Sequence, residues 1–184
     1  MKRIVIIGCG GSGKTYLARR LAQQLVLPLT HLDAVYYDEQ WNPLPADVFA
    51  AAQERLVAQP RWIIEGNYAG TLPVRLAAAD TVILLDLPAR TCLLGLGQRH
   101  RRHGAGQEPT IGVYNRINAN FIRYVLRYRR FMLPRVRRMI ADRLAAGRSD
   151  RGPPPALVVL RSRRDIRRFL DNLPGAATNG RPQP

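Results

Sequence analysis

The chain has 184 residues, 46% of them apolar, and a formal charge of +16. That length suits one domain with its own core. A membrane-spanning helix is excluded, because the most apolar stretch, residues 81–97, is broken by Asp86, Pro88 and Arg90.

The charge is lopsided: residues 1–90 hold 9 Lys/Arg against 8 Asp/Glu, and residues 91–184 hold 20 against 5. An anionic partner therefore meets the C-terminal half. Lys2 and Arg3 precede an apolar run of only Ile4–Ile7, too short for a signal peptide core. Cys9 and Cys92 show neither metal nor disulfide spacing, so a reducing cytoplasm is the expected compartment.

In chain order, "RIVIIG" is a short β-rich run, expected to be a central parallel strand buried on both faces. It runs into "GCGGSGKT", which places four glycines in eight residues. Glycine there costs backbone entropy and adds nothing to a core, so something requires bare backbone. The spacing Gly8-x-x-x-x-Gly13-Lys14-Thr15 is the P-loop (Walker A) pattern. Of the 29 basic residues 27 are Arg, yet the loop holds one of only two lysines. A slim point charge folds back along phosphates where a broad guanidinium does not.

From Lys14 to Val26 the residues Leu17, Ala18, Leu21, Ala22 and Leu25 recur at helical spacing, and Pro28 stops that helix. Strand, glycine loop and helix together predict that N–H groups of Gly10, Gly11, Ser12, Gly13 and Lys14 cradle phosphates. Lys14 would bridge the phosphates, the Thr15 hydroxyl would ligate Mg²⁺, and Tyr16 follows at the nucleotide side.

"LTHLD" predicts a second strand ending at Asp33, with His31 packed inward, and "ADVFAAAQERLVAQ" a helix between Pro45 and Pro60. "RWIIEGNY" is a third strand ending near Glu65. "TLPVRLAAA" is a short helix with Thr71 as N-cap. "DTVILLDLP" is a fourth strand ending at Asp86. A helical tract from about 89 to 146 is interrupted by "HGAGQEPTIG". "ALVVL" is a fifth strand, and "SRRDIRRFLDNL" a closing helix with Ser162 as N-cap. Residues 174–184 read as a disordered tail after a domain spanning 1–173. Strands separated by helices predict an α/β fold with a parallel sheet and right-handed crossovers.

In such a sheet the ligand sits beyond the C-terminal strand ends, where Asp33, Glu65 and Asp86 fall. One acid is a candidate to hold Mg²⁺ through water, another to orient or deprotonate an acceptor hydroxyl. Asp33 and Glu65 are the candidates taken forward; Asp86 precedes a helix and suits capping.

"IVIIGCGGSGKT", "LPLTHLDAVYYDEQW", "RWIIEGNYAGTLPVRLAAADTVILLDLPARTCL" and "VVLRSRRDIRRFL" resemble the small bacterial P-loop proteins labelled DNA-topology-modulation proteins, grouped with adenylate kinase. The resemblance spans residues 1–95 and 156–171. It implies a nucleotide-kinase-like three-layer α/β/α fold, a five-stranded parallel sheet of order 2-3-1-4-5, and ATP as phosphate donor. It also implies a lid at about 97–112, with Arg99, Arg101 and Arg102 reaching the phosphates, and the Arg161–Ser162 turn lying against adenine. The chain departs from adenylate kinases at Glu65-Gly66-Asn67-Tyr68, which is nearer the uridine-kinase-like pattern with a sugar hydroxyl as acceptor.

The basic helical region, 113–147, places Tyr114, Ile117, Phe121, Tyr124, Val125, Tyr128, Phe131 and Met132 at helical spacing with arginines between. The stripe reads as core and the arginines as a solvated face, with a lid-flanking phosphate contact and an anionic macromolecular surface as alternatives. Weak nucleic-acid binding through this half is expected from counterion release alone. These readings converge on an ATP- and Mg²⁺-dependent kinase of a small hydroxyl acceptor. An ATP-dependent DNA regulator and an NTPase without acceptor are the alternatives.

Overall fold

The computed structural model describes residues 1–38, 40, 42–103, 107–108, 113–114, 117–147 and 153–173. The elements in order are β1 (Arg3–Gly8), α1 (Lys14–Leu25), β2 (Leu29–His31), α2 (Leu32–Tyr36), α3 (Ala46–Val57), β3 (Trp62–Glu65), α4 (Leu72–Ala78), β4 (Thr81–Leu85), α5 (Ala89–His103), β5 (Gln107–Glu108), β6 (Val113–Tyr114), α6 (Ala119–Ala145), β7 (Ala156–Leu160) and α7 (Arg163–Asp171). Five strands form one parallel sheet in the order β2-β3-β1-β4-β7, the predicted 2-3-1-4-5 with β7 as fifth strand; β5 and β6 form a separate antiparallel pair.

The central strands are apolar at nearly every position because both of their faces are covered. Ile4, Val5, Ile6, Ile63, Ile64, Val82 and Ile83 are fully buried. The register Val5↔Ile64 and Val5↔Val82 stacks them across β3, β1 and β4. The edge strand β7 is the least covered, with Ala156 and Leu157 exposed. α1 packs with α7, while α4 packs with α3 and α6.

The basic helix α6 is fastened by three of its own arginines. Arg143 is buried and donates to the carbonyls of Leu76 (3.3 Å) and Pro153 (3.1 Å). Arg137 bonds the buried Asp86 carboxylate at 2.5 Å, and Arg129 lies 3.3 Å from its other oxygen. Asp86 thus anchors α6, instead of capping the following helix. The aromatic stripe is core in part: Val125 and Tyr128 are buried and Phe121, Tyr124 and Met132 partly so, but Phe131 is 64% exposed.

Two further expectations change. α2 starts at Leu32, so Asp33 lies in a helix's first turn and not at a strand end. Leu32 is fully buried, which turns the chain inward there. Thr71 is at the N-cap position, but its hydroxyl instead donates to the Tyr68 carbonyl (3.2 Å) and accepts from Gln53 (2.8 Å). α5 runs to His103, so Arg99, Arg101 and Arg102 stand on the helical tract expected from about 89. Within the expected lid, residues 104–106 and 109–112 lie outside the described residues, as does the tail 174–184. Ser162 caps α7 as expected, accepting the Asp165 N–H at 3.1 Å. Among the described residues no helix is long and apolar enough to cross a membrane.

Candidate active site

The loop after β1 is shaped by its glycines. Gly11 (φ 75°) and Gly13 (φ 95°) take the left-handed conformation that other residues avoid. A Cβ on Gly11 would also run into the Cys92 carbonyl of α5. One on Gly10 would lie 2.6 Å from the Phe121 ring. α1 starts at Gly13 without a side-chain cap, leaving its first N–H groups and dipole facing the loop. Lys14 folds back so that Nζ donates to the Cys9 carbonyl at 3.1 Å. Ser12 is 2% exposed, and its hydroxyl has no partner among the described residues. This arrangement is a cradle for an anion.

Glu65, at the end of β3, stands beside the loop. Its Oε1 accepts the Thr15 hydroxyl at 3.0 Å and lies 2.7 Å from His31 Nδ1. Burial opposes its charge, but the His31 hydrogen bond, the Lys14 and His31 charges and the Thr15 hydroxyl hold its pKa below the carboxylate range. The sequence assigns His31 to the core; the structure makes it the partner that keeps Glu65 ionised. The Thr15 and Glu65 oxygens form a hard-oxygen pair suited to magnesium. Among the described residues no group of three or more His, Cys, Asp or Glu could hold a metal by itself. An ion here would therefore be shared with phosphate oxygens.

The β3–α4 connection forms a second wall. Asn67 Oδ1 accepts from the Gly8 N–H (3.3 Å) and the Tyr128 hydroxyl (3.2 Å), and its Nδ2 donates to the Tyr124 hydroxyl (2.8 Å). One amide thus joins the end of β1, the connection and α6. The Tyr68 hydroxyl donates to Asp33 Oδ1 at 2.6 Å. Tyr68 itself has a positive φ of 26°, a strained backbone for a bulky residue. Arg75 holds it there. Its guanidinium is fully buried and donates to the carbonyls of Gly66 (2.9 Å), Asn67 (3.0 Å) and Tyr68 (3.0 Å). Burial pulls its pKa down to about 9, which leaves it charged at neutral pH.

These walls enclose a cleft of about 1730 Å³. The strand order divides it: segments after β2 and β3 lie on one side of the phosphate loop, and those after β4 and β7 on the other. The first side brings Asp33, Tyr37, Gln40, Asn67 and Tyr68, with Phe121 and Tyr124 from α6. The second brings Gln98, Arg99 and Arg102 from α5, and Arg163, Ile166 and Arg167 from α7.

Among solved structures the chain is similar to shikimate kinase from Acinetobacter baumannii in complex with shikimate, at TM-score 0.56 and 14% identity over 93% of this chain and 89% of that one. It is similar also to shikimate kinase from Bacteroides thetaiotaomicron, at TM-score 0.55 and 13% identity over 92% and 94%. The fold is that of the P-loop kinases. No family model and no curated protein matches the chain.

Within this P-loop kinase fold, Gly10, Gly11, Ser12, Gly13, Lys14, Thr15, Tyr16, Asp33, Glu65, Arg99 and Arg102 all line the cleft. Arg101, one residue from Arg102 on α5, does not line it. Gly8 does not either; it ends β1, where a Cβ would meet Leu85 and the Ser12 hydroxyl. Arg161 and Ser162 are likewise not lining residues: the Arg161 N–H and the Ser162 hydroxyl are both engaged with Asp165, in the first turn of α7. Arg163, Ile166 and Arg167 stand in their place. Sequence reasoning missed Asn67, Tyr68 and Arg75 as site-building residues. The available signal was an Asn-Tyr pair directly after Glu-Gly at a strand end, followed by an arginine in an otherwise apolar short helix.

Proposed function

We infer that this protein is an ATP-dependent kinase that transfers the γ-phosphate to the hydroxyl of a small molecule. The observation that carries this reading is that Asp33 lines the same cleft as the phosphate loop residues Lys14 and Thr15. A nucleotide-binding switch needs no such carboxylate, whereas a phosphotransferase needs one to receive the acceptor proton.

In this reading Gly10–Lys14 hold the β- and γ-phosphates by backbone N–H groups. Lys14 turns from the Cys9 carbonyl to the phosphates. Thr15, and Glu65 through water, would hold Mg²⁺, which when bound neutralises phosphate charge. Arg99 and Arg102 approach from α5, and Arg163 and Arg167 flank the nucleoside end. Asp33 has one oxygen occupied by Tyr68, so its other oxygen orients the acceptor O–H and takes its proton. The fold shared with shikimate kinases supports the reaction class, and the resemblance to the topology-modulation proteins supports the same nucleotide-kinase grouping. The DNA-regulator reading rests on the P-loop as a switch, on the label of the topology-modulation proteins and on charge, and part of that charge is committed to Asp86.

The test is ADP formation with pooled hydroxyl metabolites, comparing wild type with Lys14→Ala and Lys14→Arg. Losing a preorganised donor to transition-state charge costs ~10²–10³ in kcat. Acceptor-dependent ADP that falls by at least that much in both variants, with unchanged thermal unfolding, is expected. Undiminished ADP formation in Lys14→Ala would remove the P-loop as the catalytic centre.

A further inference from the structure

The acceptor side of the cleft differs in chemistry from the rest. Apart from Lys14, the cations that line the cleft come from α1 (Arg19, Arg20), α5 (Arg99, Arg102) and α7 (Arg163, Arg167). Among the described residues, those lining the cleft from the β2–α2 segment, the β3–α4 connection and the start of α6 include no Lys or Arg. They do include Asp33 and Glu65. A carboxylate or phosphate on the acceptor would face these two acids with no cation among the described residues of the same walls, a repulsive arrangement that selects against anions.

What these walls offer instead is ring faces and amides. Phe121 and Tyr124 are stacked, with centroids 6.1 Å apart and planes 16° apart. Phe121 lies against Gly10 of the phosphate loop. The Tyr124 hydroxyl is tied to Asn67 at 2.8 Å, on the acceptor side. Burial, only partly offset by that hydrogen bond, pushes the Tyr124 pKa up to about 12, so it stays a neutral phenol. Asn118 spends its side-chain oxygen capping α6, which leaves its amide NH₂ for a ligand. Asn120 and Gln40 add further amides to the lining. Rings and amides without cations recognise an uncharged, flat or ring-shaped molecule through stacking and hydroxyl contacts.

We propose that the phosphate acceptor of this site is an uncharged ring compound bearing a free hydroxyl, and that Phe121 and Tyr124 form the face against which its ring packs. This rests on the kinase reading above. In the reaction the acceptor hydroxyl oxygen bonds to the γ-phosphorus of ATP. The bond from that phosphorus to the β,γ-bridging oxygen breaks, its electron pair leaves with ADP, and the hydroxyl proton passes to Asp33. Nucleosides and ring sugars share the required chemistry.

The experiment has two arms on the full chain. In the first, kcat/KM with ATP and Mg²⁺ is measured for nucleosides, hexoses, nucleoside monophosphates and ring hydroxycarboxylates. In the second, binding of the same compounds is measured calorimetrically with a non-hydrolysable ATP analogue present. Neutral compounds are expected to exceed their anionic counterparts by at least ~100-fold in both arms. Phe121→Leu is expected to raise KM for the neutral acceptor by ~10-fold with little change in kcat, at a melting temperature near wild type. Activity with nucleosides identifies a base as the stacked ring, and activity with hexoses alone identifies the sugar face. Equal or tighter binding of the anionic compounds, or no binding by any neutral one, overturns the proposal. Neutral-selective binding without turnover upholds Phe121 and Tyr124 as a ring-binding face but overturns the kinase reading, and with it the acceptor role of the bound compound.

Discussion

Arg75→Met should weaken the protein and disable the acceptor wall together. Methionine keeps most of the buried length and removes the guanidinium. Three carbonyls then lose a donor, but not equally. The Tyr68 carbonyl retains the Thr71 N–H at 3.1 Å and the Thr71 hydroxyl at 3.2 Å. The carbonyls of Gly66 and Asn67 accept only from Arg75 in the hydrogen bonds described above. Each orphaned buried acceptor costs about 1–3 kcal/mol, so the loss from two is about 2–6 kcal/mol. Removing a desolvated charge returns part of this, which places the net near the lower end, about 2–3 kcal/mol. For a chain of this size that is a fall in Tm of about 4–12 °C. Tyr68, strained at φ 26°, is released and its hydroxyl no longer holds Asp33, so KM for the acceptor should rise while nucleotide affinity stays. The assay is thermal unfolding with calorimetric titration of a non-hydrolysable ATP analogue. An unchanged Tm, or a loss of nucleotide affinity as large as that of acceptor affinity, would refute the assignment of Arg75 to this wall.

Gly11→Ala should abolish nucleotide binding, because a Cβ meets the Cys92 carbonyl and the residue must hold φ 75°; calorimetry that finds wild-type affinity would contradict the packing of the loop on α5. Glu65 has a pKa depressed from its ordinary 4.5, so the unfolded chain binds more protons in the window between the two values. Its contribution is complete above that ordinary value and is lost as pH falls through the folded one. Tm measured from pH 7 to 3 should therefore drop more steeply in wild type than in Glu65→Gln, and parallel curves would count against the pairing with His31. Cys9, although within the phosphate loop, is 2% exposed, and hydrogen bonding with Cys92 together with burial raises its pKa; alkylation of native protein should be slow whether or not ATP is present, and rapid ATP-protected labelling would show an open loop.

The phosphate loop was legible because glycine spacing, a preceding apolar strand and a following periodic helix are all local signals. The sheet order followed once five strands alternated with helices and the chain resembled the nucleotide kinases. Asp33 was found by type but placed one element early, since α2 already begins at the fully buried Leu32. The α7 residues that line the cleft are Arg163, Ile166 and Arg167 and not the expected Arg161 and Ser162; the capping hydroxyl of Ser162 is spent on the helix. Phe121 and Tyr124 read as core because their spacing is that of a buried stripe; the stripe instead turns from core to cleft wall along α6. Arg75 gave no local sign of burial, as an arginine in a short helix is ordinarily solvated, and its three carbonyl partners are set by the fold of the preceding loop.

The central claim is that the γ-phosphate passes to an organic hydroxyl at this cleft. It is tested most directly by incubating the protein with ATP labelled in the γ-phosphate and a mixture of neutral ring hydroxyl compounds, then locating the label by mass spectrometry. The account predicts label in an organic phosphate ester, absent with Lys14→Ala and strongly reduced with Asp33→Asn. Label found only in inorganic phosphate, at a rate indifferent to the added compounds and to Asp33, would contradict it.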